Sequence, residues 1–88
     1  LGVPNAFTPQ SGDQNSVVFV RGFGIAKMQF IIWNRWGQKV FETNSISQGW
    51  NGKLKGVLQP MDVYVYTLSV EFSDGNKKKK KGDITLIR

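Results

Sequence analysis

One stretch restricts the possible folds more than any other. From Asp62 to Phe72 the chain alternates: Tyr64, Tyr66, Leu68, Val70 and Phe72 share one parity, and Val63, Val65, Thr67, Ser69 and Glu71 share the other. Successive side chains of a strand point to opposite faces, so this period puts five large apolar groups on one face. A helix would scatter the same groups around its circumference. Asp74-Gly75 follows almost at once. Both residues tolerate positive φ, which makes the pair a strong two-residue hairpin signal. The chain is therefore predicted to turn back on itself, with a last strand over Asn76–Arg88. There Ile84 and Leu86 alternate with Asp83, Thr85 and Ile87, and Gly82 is expected to mark a bulge or bend.

The rest of the chain also favours strands. Val3–Phe7 is short and apolar, and Pro4 suits it to an edge. Residues Thr8–Ser16 are rich in turn formers, and Val17–Val20 is predicted as a short strand. After the glycines of Arg21–Ala26, Lys27–Trp33 alternates again, with Met28, Phe30 and Ile32 expected to face inward. Ile31 and Trp33 make the opposite face partly apolar. Asn34-Arg35-Trp36-Gly37 suits a type I turn with a bulge, returning into Gln38–Glu42. Thr43–Gly52 reads as a polar loop interrupted by Trp50, and Lys53–Val57 as a short strand.

An 88-residue chain makes one domain, taken here as 1–88. A domain this small buries only roughly 60–65% of the surface its unfolded chain exposes, so its core needs bulky groups. Six Phe, three Trp and two Tyr supply them. The expected fold is all-β: an immunoglobulin-like, two-sheet antiparallel sandwich of about seven strands. No apolar run approaches the length of a membrane helix, so no direct membrane span is expected. No N-terminal signal peptide is visible within these residues, since Leu1 runs straight into a turn-rich segment. The domain is then either intracellular or exported by a signal upstream in a longer precursor.

The chemical inventory is narrow. Without His or Cys, the common bases, nucleophile pairs and zinc sites are absent. The acids Asp13, Glu42, Asp62, Glu71, Asp74 and Asp83 form no close sequence pair. No phosphate-binding glycine loop leads into a helix. The chain is expected to be no enzyme, with no catalytic residue, metal or cofactor. In the loop Gln10–Ser16 one carboxylate stands among oxygen donors, and turn formation explains those residues better than calcium. Trp33, Trp36 and Trp50 are expected to pack rather than to form a sugar platform.

The net charge of +6 is uneven, because five of the twelve basic residues form the run Lys77–Lys81. On a strand, alternate lysines point to opposite faces, where they can guard an edge or meet an acidic partner. Nucleic acid is not expected, since no aromatic is interleaved with the run. Candidate partner-binding residues are the turn Asn34, Arg35, Trp36 and Gly37, the run Lys77, Lys78, Lys79, Lys80 and Lys81, and the terminal Ile84, Leu86, Ile87 and Arg88.

Five segments, taken in order, carry a resemblance. They are Val3-Pro4-Asn5-Ala6-Phe7-Thr8-Pro9, Asn34–Glu42 (NRWGQKVFE), Gly49-Trp50-Asn51-Gly52, Pro60 with Val63-Tyr64-Val65-Tyr66, and Gly82–Arg88 (GDITLIR). Together they resemble the gliding-motility-associated C-terminal domain, the type B C-terminal sorting domain of the type IX secretion system. Two positions depart from the family pattern: Ser16 replaces an Asp, and Asp62 replaces a Gly. The resemblance implies a C-terminal signal on a large adhesin or motility protein, secreted through the periplasm to the cell surface or outer membrane. The implied partners are type IX secretion components, with an outer-membrane β-barrel of the PorP/SprF-linked family. A carbohydrate-binding or purely structural adhesin sandwich is the alternative.

Overall fold

A computed structural model describes residues 1–9 and 16–87 of the chain. Among the described residues seven strands are formed: β1 (Ala6–Phe7), β2 (Ile25–Trp33), β3 (Lys39–Thr43), β4 (Lys53–Leu54), β5 (Val57–Leu58), β6 (Asp62–Phe72) and β7 (Lys77–Leu86). They make a five-stranded sheet in the order β1-β7-β6-β2-β3 and a two-stranded β4-β5 hairpin. The expected all-β, two-sheet fold is thus present, with sheets of very unequal size. The expectation of antiparallel pairing fails at one place, because β1 runs parallel to β7. There the Asn5 carbonyl accepts from Thr85 N–H and the Phe7 carbonyl from Ile87 N–H, each at 2.9 Å.

Alternation decides what the large sheet buries. Tyr64, Tyr66, Leu68 and Val70 of β6 are buried, as are Met28, Phe30 and Ile32 of β2 and Ile84 and Leu86 of β7. The segment Val17–Val20, predicted as a strand, is not one. Val18 makes a single antiparallel bridge to Trp50, yet Val18 and Val20 are both core residues. Their apolarity records burial, which does not require a ladder. Trp50 is itself buried, packing against Phe7 at 5.3 Å and edge-on to Tyr64 at 5.1 Å between ring centroids. Its indole Nε1–H donates to the Lys53 carbonyl at 3.0 Å, so burial leaves no polar atom unmet.

Three local readings need correction. The turn at Asp74-Gly75 has three residues, Ser73 to Gly75, because Phe72 N–H donates to the Asn76 carbonyl at 2.8 Å, and of these only Gly75 takes a positive φ (91°). Lys53–Val57 is a tight hairpin, not one strand, because Lys55 (φ 52°) and Gly56 (φ 81°) form its turn. Gly82 is neither bulge nor bend, since the β6-β7 register runs unbroken from Glu71↔Lys77 to Asp62↔Leu86. It lies directly opposite Tyr66, and a Cβ there would stand 3.0 Å from Tyr66 Cε2. The missing side chain makes room for the tyrosine ring.

Candidate functional site

The β2-β3 turn is a rigid projection. Asn34 Oδ1 accepts from the N–H of Trp36 at 3.0 Å and of Gln38 at 2.9 Å. Asn34 N–H donates to the Gln38 carbonyl at 2.9 Å, and Gly37 N–H donates to the Asn34 carbonyl at 3.0 Å. Gly37 takes φ 80°, the left-handed position that closes a type I turn with a bulge. This is the turn expected from Asn34-Arg35-Trp36-Gly37. Trp36 is held at its tip with 82% of its surface exposed. The Arg35 guanidinium sits 5.3 Å from the Trp36 ring centroid and 3.5 Å from Asp62 Oδ2. That contact ties the turn to the first residue of β6.

The lysine run occupies the other end of β7. Lys77 faces Glu71 in the register, whereas Leu86 faces Asp62 beside the turn. Nine residue steps at ~3.4 Å each separate these ends by about 30 Å. The two candidate surfaces are therefore separate, on a molecule with a long axis of 39 Å. Lys78 and Lys80 share the face of Val70 and Leu68, past the edge of the core. Lys77, Lys79 and Lys81 share the opposite face with Glu71, Ser69 and Thr67. All five lysines are exposed. Lys77 lies 3.8 Å from Glu71, and Lys78 to Lys81 have no ion pair among the described residues.

The terminal candidates divide. Ile84 and Leu86 are fully buried, so their side chains build the core instead of offering a contact surface. Ile87 remains 43% exposed. Arg88 lies outside the described residues, as does most of the loop that offered oxygen donors. Of the three tryptophans, Trp50 packs as expected, Trp33 is half-buried and Trp36 is almost free.

The family model described as CHU_C, type IX secretion signal domain, matches residues 1–86. The chain belongs to this family. No curated protein and no solved structure matches it. A type IX secretion signal domain marks a protein for that system, so this one engages the secretion machinery. It directs export to the cell surface or outer membrane. No helix among the described residues is long and apolar enough to cross a membrane.

The signal domain also exposes an aromatic that sequence reasoning passed over. Phe23 is 96% exposed between Gly22 and Gly24, at the lysine-run end of the sheet. Ser73 N–H, at the start of the β6-β7 turn, donates to the Gly24 carbonyl at 2.7 Å and fixes that neighbourhood. The available cue was a phenylalanine flanked by two glycines, where no alternating pattern exists to bury it. Among the described residues no three Asp or Glu side chains gather into a metal-binding group.

Proposed function

We propose that this signal domain is a non-enzymatic C-terminal label that delivers a large adhesin or motility protein to the surface and helps retain it there. The receptor on this reading is an outer-membrane β-barrel of the PorP/SprF-linked family. The observation that carries the proposal is Trp36, a large apolar ring presented to solvent on a hydrogen-bonded turn. Tryptophan and arginine are among the side chains most enriched where binding energy concentrates. Because the Asn34 network fixes the turn in advance, docking loses little further entropy.

The test is a fusion of residues 1–88 to a reporter behind an N-terminal export signal in a cell with the type IX system. Wild-type fusion should reach the surface and co-purify with an outer-membrane barrel. The Arg35→Ala/Trp36→Ala variant should remain folded and lose at least about tenfold in display, the effect of about 1.4 kcal/mol. Undiminished display of that variant would remove Trp36 from the mechanism. Undiminished display of the reporter without the domain would overturn the whole reading.

Trp36 also supports a second reading, stacking on a sugar. Trp50 cannot join it, because Trp50 is buried. A fluorescence titration with neutral oligosaccharides that saturates for wild type and not for Trp36→Ala would favour this alternative.

A further inference from the structure

The outer edge of β7 is open. β1 pairs with β7 only at Thr85 and Leu86, so from Lys77 to Asp83 no strand covers that edge among the described residues. Thr85 and Ile87 direct their N–H groups toward β1. A strand residue turns its N–H and C=O to the same side, and the side alternates. Lys77, Lys79, Lys81 and Asp83, in phase with Thr85, therefore turn theirs away from β6 into the open edge. These are the groups with which a sheet adds another strand.

Charge restricts what can be added. An incoming strand would place side chains beside Lys78 and Lys80 on one face and beside Lys77, Lys79 and Lys81 on the other. Among the described residues, Lys78 to Lys81 have no carboxylate of their own. A neutral strand would leave that row of cations unneutralised, and a basic strand would be repelled. A strand with Asp or Glu on both parities gains a cross-strand partner on each face. The lysines also discourage self-pairing of two β7 edges, because like charges would then lie opposite each other.

We infer that the β7 edge from Lys77 to Asp83 is the docking site for an extended acidic segment of a partner protein, added as a sixth strand. This rests on the reading of the domain as a recognition label, and it supplies the chemistry of a second contact, whose far end at Lys77 lies about 30 Å along the sheet from the Asp62 end beside the Trp36 turn. Arg35 and Trp36 would then anchor one end of the domain while β7 zips to the receptor at the other.

The direct test is NMR of the 88-residue chain titrated with a blocked peptide, Thr-Glu-Val-Glu-Asp-Glu-Thr. The amides of Lys77, Lys79, Lys81 and Asp83 should become protected from hydrogen exchange. Those of Lys78 and Lys80, already turned toward β6, should change little. Affinity should fall at least about tenfold when alternate peptide amides are N-methylated, and again when salt is raised from about 0.05 to about 0.5 M. A charge-reversed peptide should not bind. No binding of the acidic peptide, equal binding of the N-methylated peptide, or binding that adds no protection at the odd-numbered amides overturns the inference. Inorganic polyphosphate and phosphatidylglycerol vesicles serve as rivals. If either binds as tightly while the odd-numbered amides stay unprotected, the run is an anion patch and the strand is refuted. Surface display of the Lys77–Lys81→Ser variant is scored alongside. Lost display without peptide binding rejects the acidic strand yet leaves the export reading intact. Failure of the wild-type fusion to reach the surface rejects the export reading itself.

Discussion

Truncating Ile84 to Ala separates core from contact surface at a residue that alternation alone leaves ambiguous. Ile84 has 0% exposure and sits opposite Tyr64, itself 1% exposed. Ile84→Ala removes three buried carbons, worth about 2.4 kcal/mol at ~0.8 kcal/mol each. The residual cavity raises the cost to about 3–4 kcal/mol, within the usual range for a core Ile→Ala change. An 88-residue domain has roughly 4–13 kcal/mol to lose in total, so the variant should be folded but marginal. Urea denaturation followed by the fluorescence of buried Trp50 should show an earlier midpoint with unchanged m. The midpoint of thermal unfolding should fall by roughly 12–32 °C. A loss below about 1 kcal/mol would refute the core assignment and return Ile84 to the list of possible receptor contacts. The same arithmetic covers Leu86, so deleting Ile84–Arg88 should abolish display through unfolding and would not report on receptor contact.

Gly82→Ala should cost about 1–2 kcal/mol, because its Cβ would meet Tyr66 Cε2 at 3.0 Å and the hydroxyl at 3.1 Å; combining it with Tyr66→Leu should recover most of that loss, measured as a double-mutant cycle. Asn34→Ala removes the acceptor for two backbone N–H groups and should cost about 1 kcal/mol by urea denaturation, with the Trp36 indole resonance shifting as the turn loosens. Burial, and then the Asp83 carboxylate, push the Tyr66 phenol above its ordinary value of 10.0, so the folded state holds this proton more tightly than the unfolded state. The resulting stabilisation is complete below about pH 10 and is lost as pH rises through the folded value; Tyr66→Phe should abolish that part of the alkaline loss, and equal slopes in both proteins would refute it.

What was legible in the sequence was local. Asp74-Gly75 and the alternation of β6 mark the hairpin, but not its register: a two-residue turn would pair Ser73 with Asn76, whereas Phe72 N–H donates to the Asn76 carbonyl across a three-residue turn. Asn34 and Gly37 build their turn through contacts spanning four positions, so its shape also follows from the sequence. Even the burial of Ile84 and Leu86 is legible, since they share one parity opposite Asp83, Thr85 and Ile87. The lysine run was visible as charge, but its division between two faces depends on the pairing with β6.

The amino-acid order by itself determined the all-β character, the two main hairpins and the membership of a secretion-signal family, because alternation, turn chemistry and motif order are properties of short segments. Tertiary structure alone decided that β1 lies parallel to β7, that Val18 and Trp50 close the core, and that Gly82 admits the Tyr66 ring. It also decided that Trp36 stands free while Trp50 is buried. Each of these depends on segments brought together from distant parts of the chain, and a side chain's own identity does not say which neighbours will shield it from water.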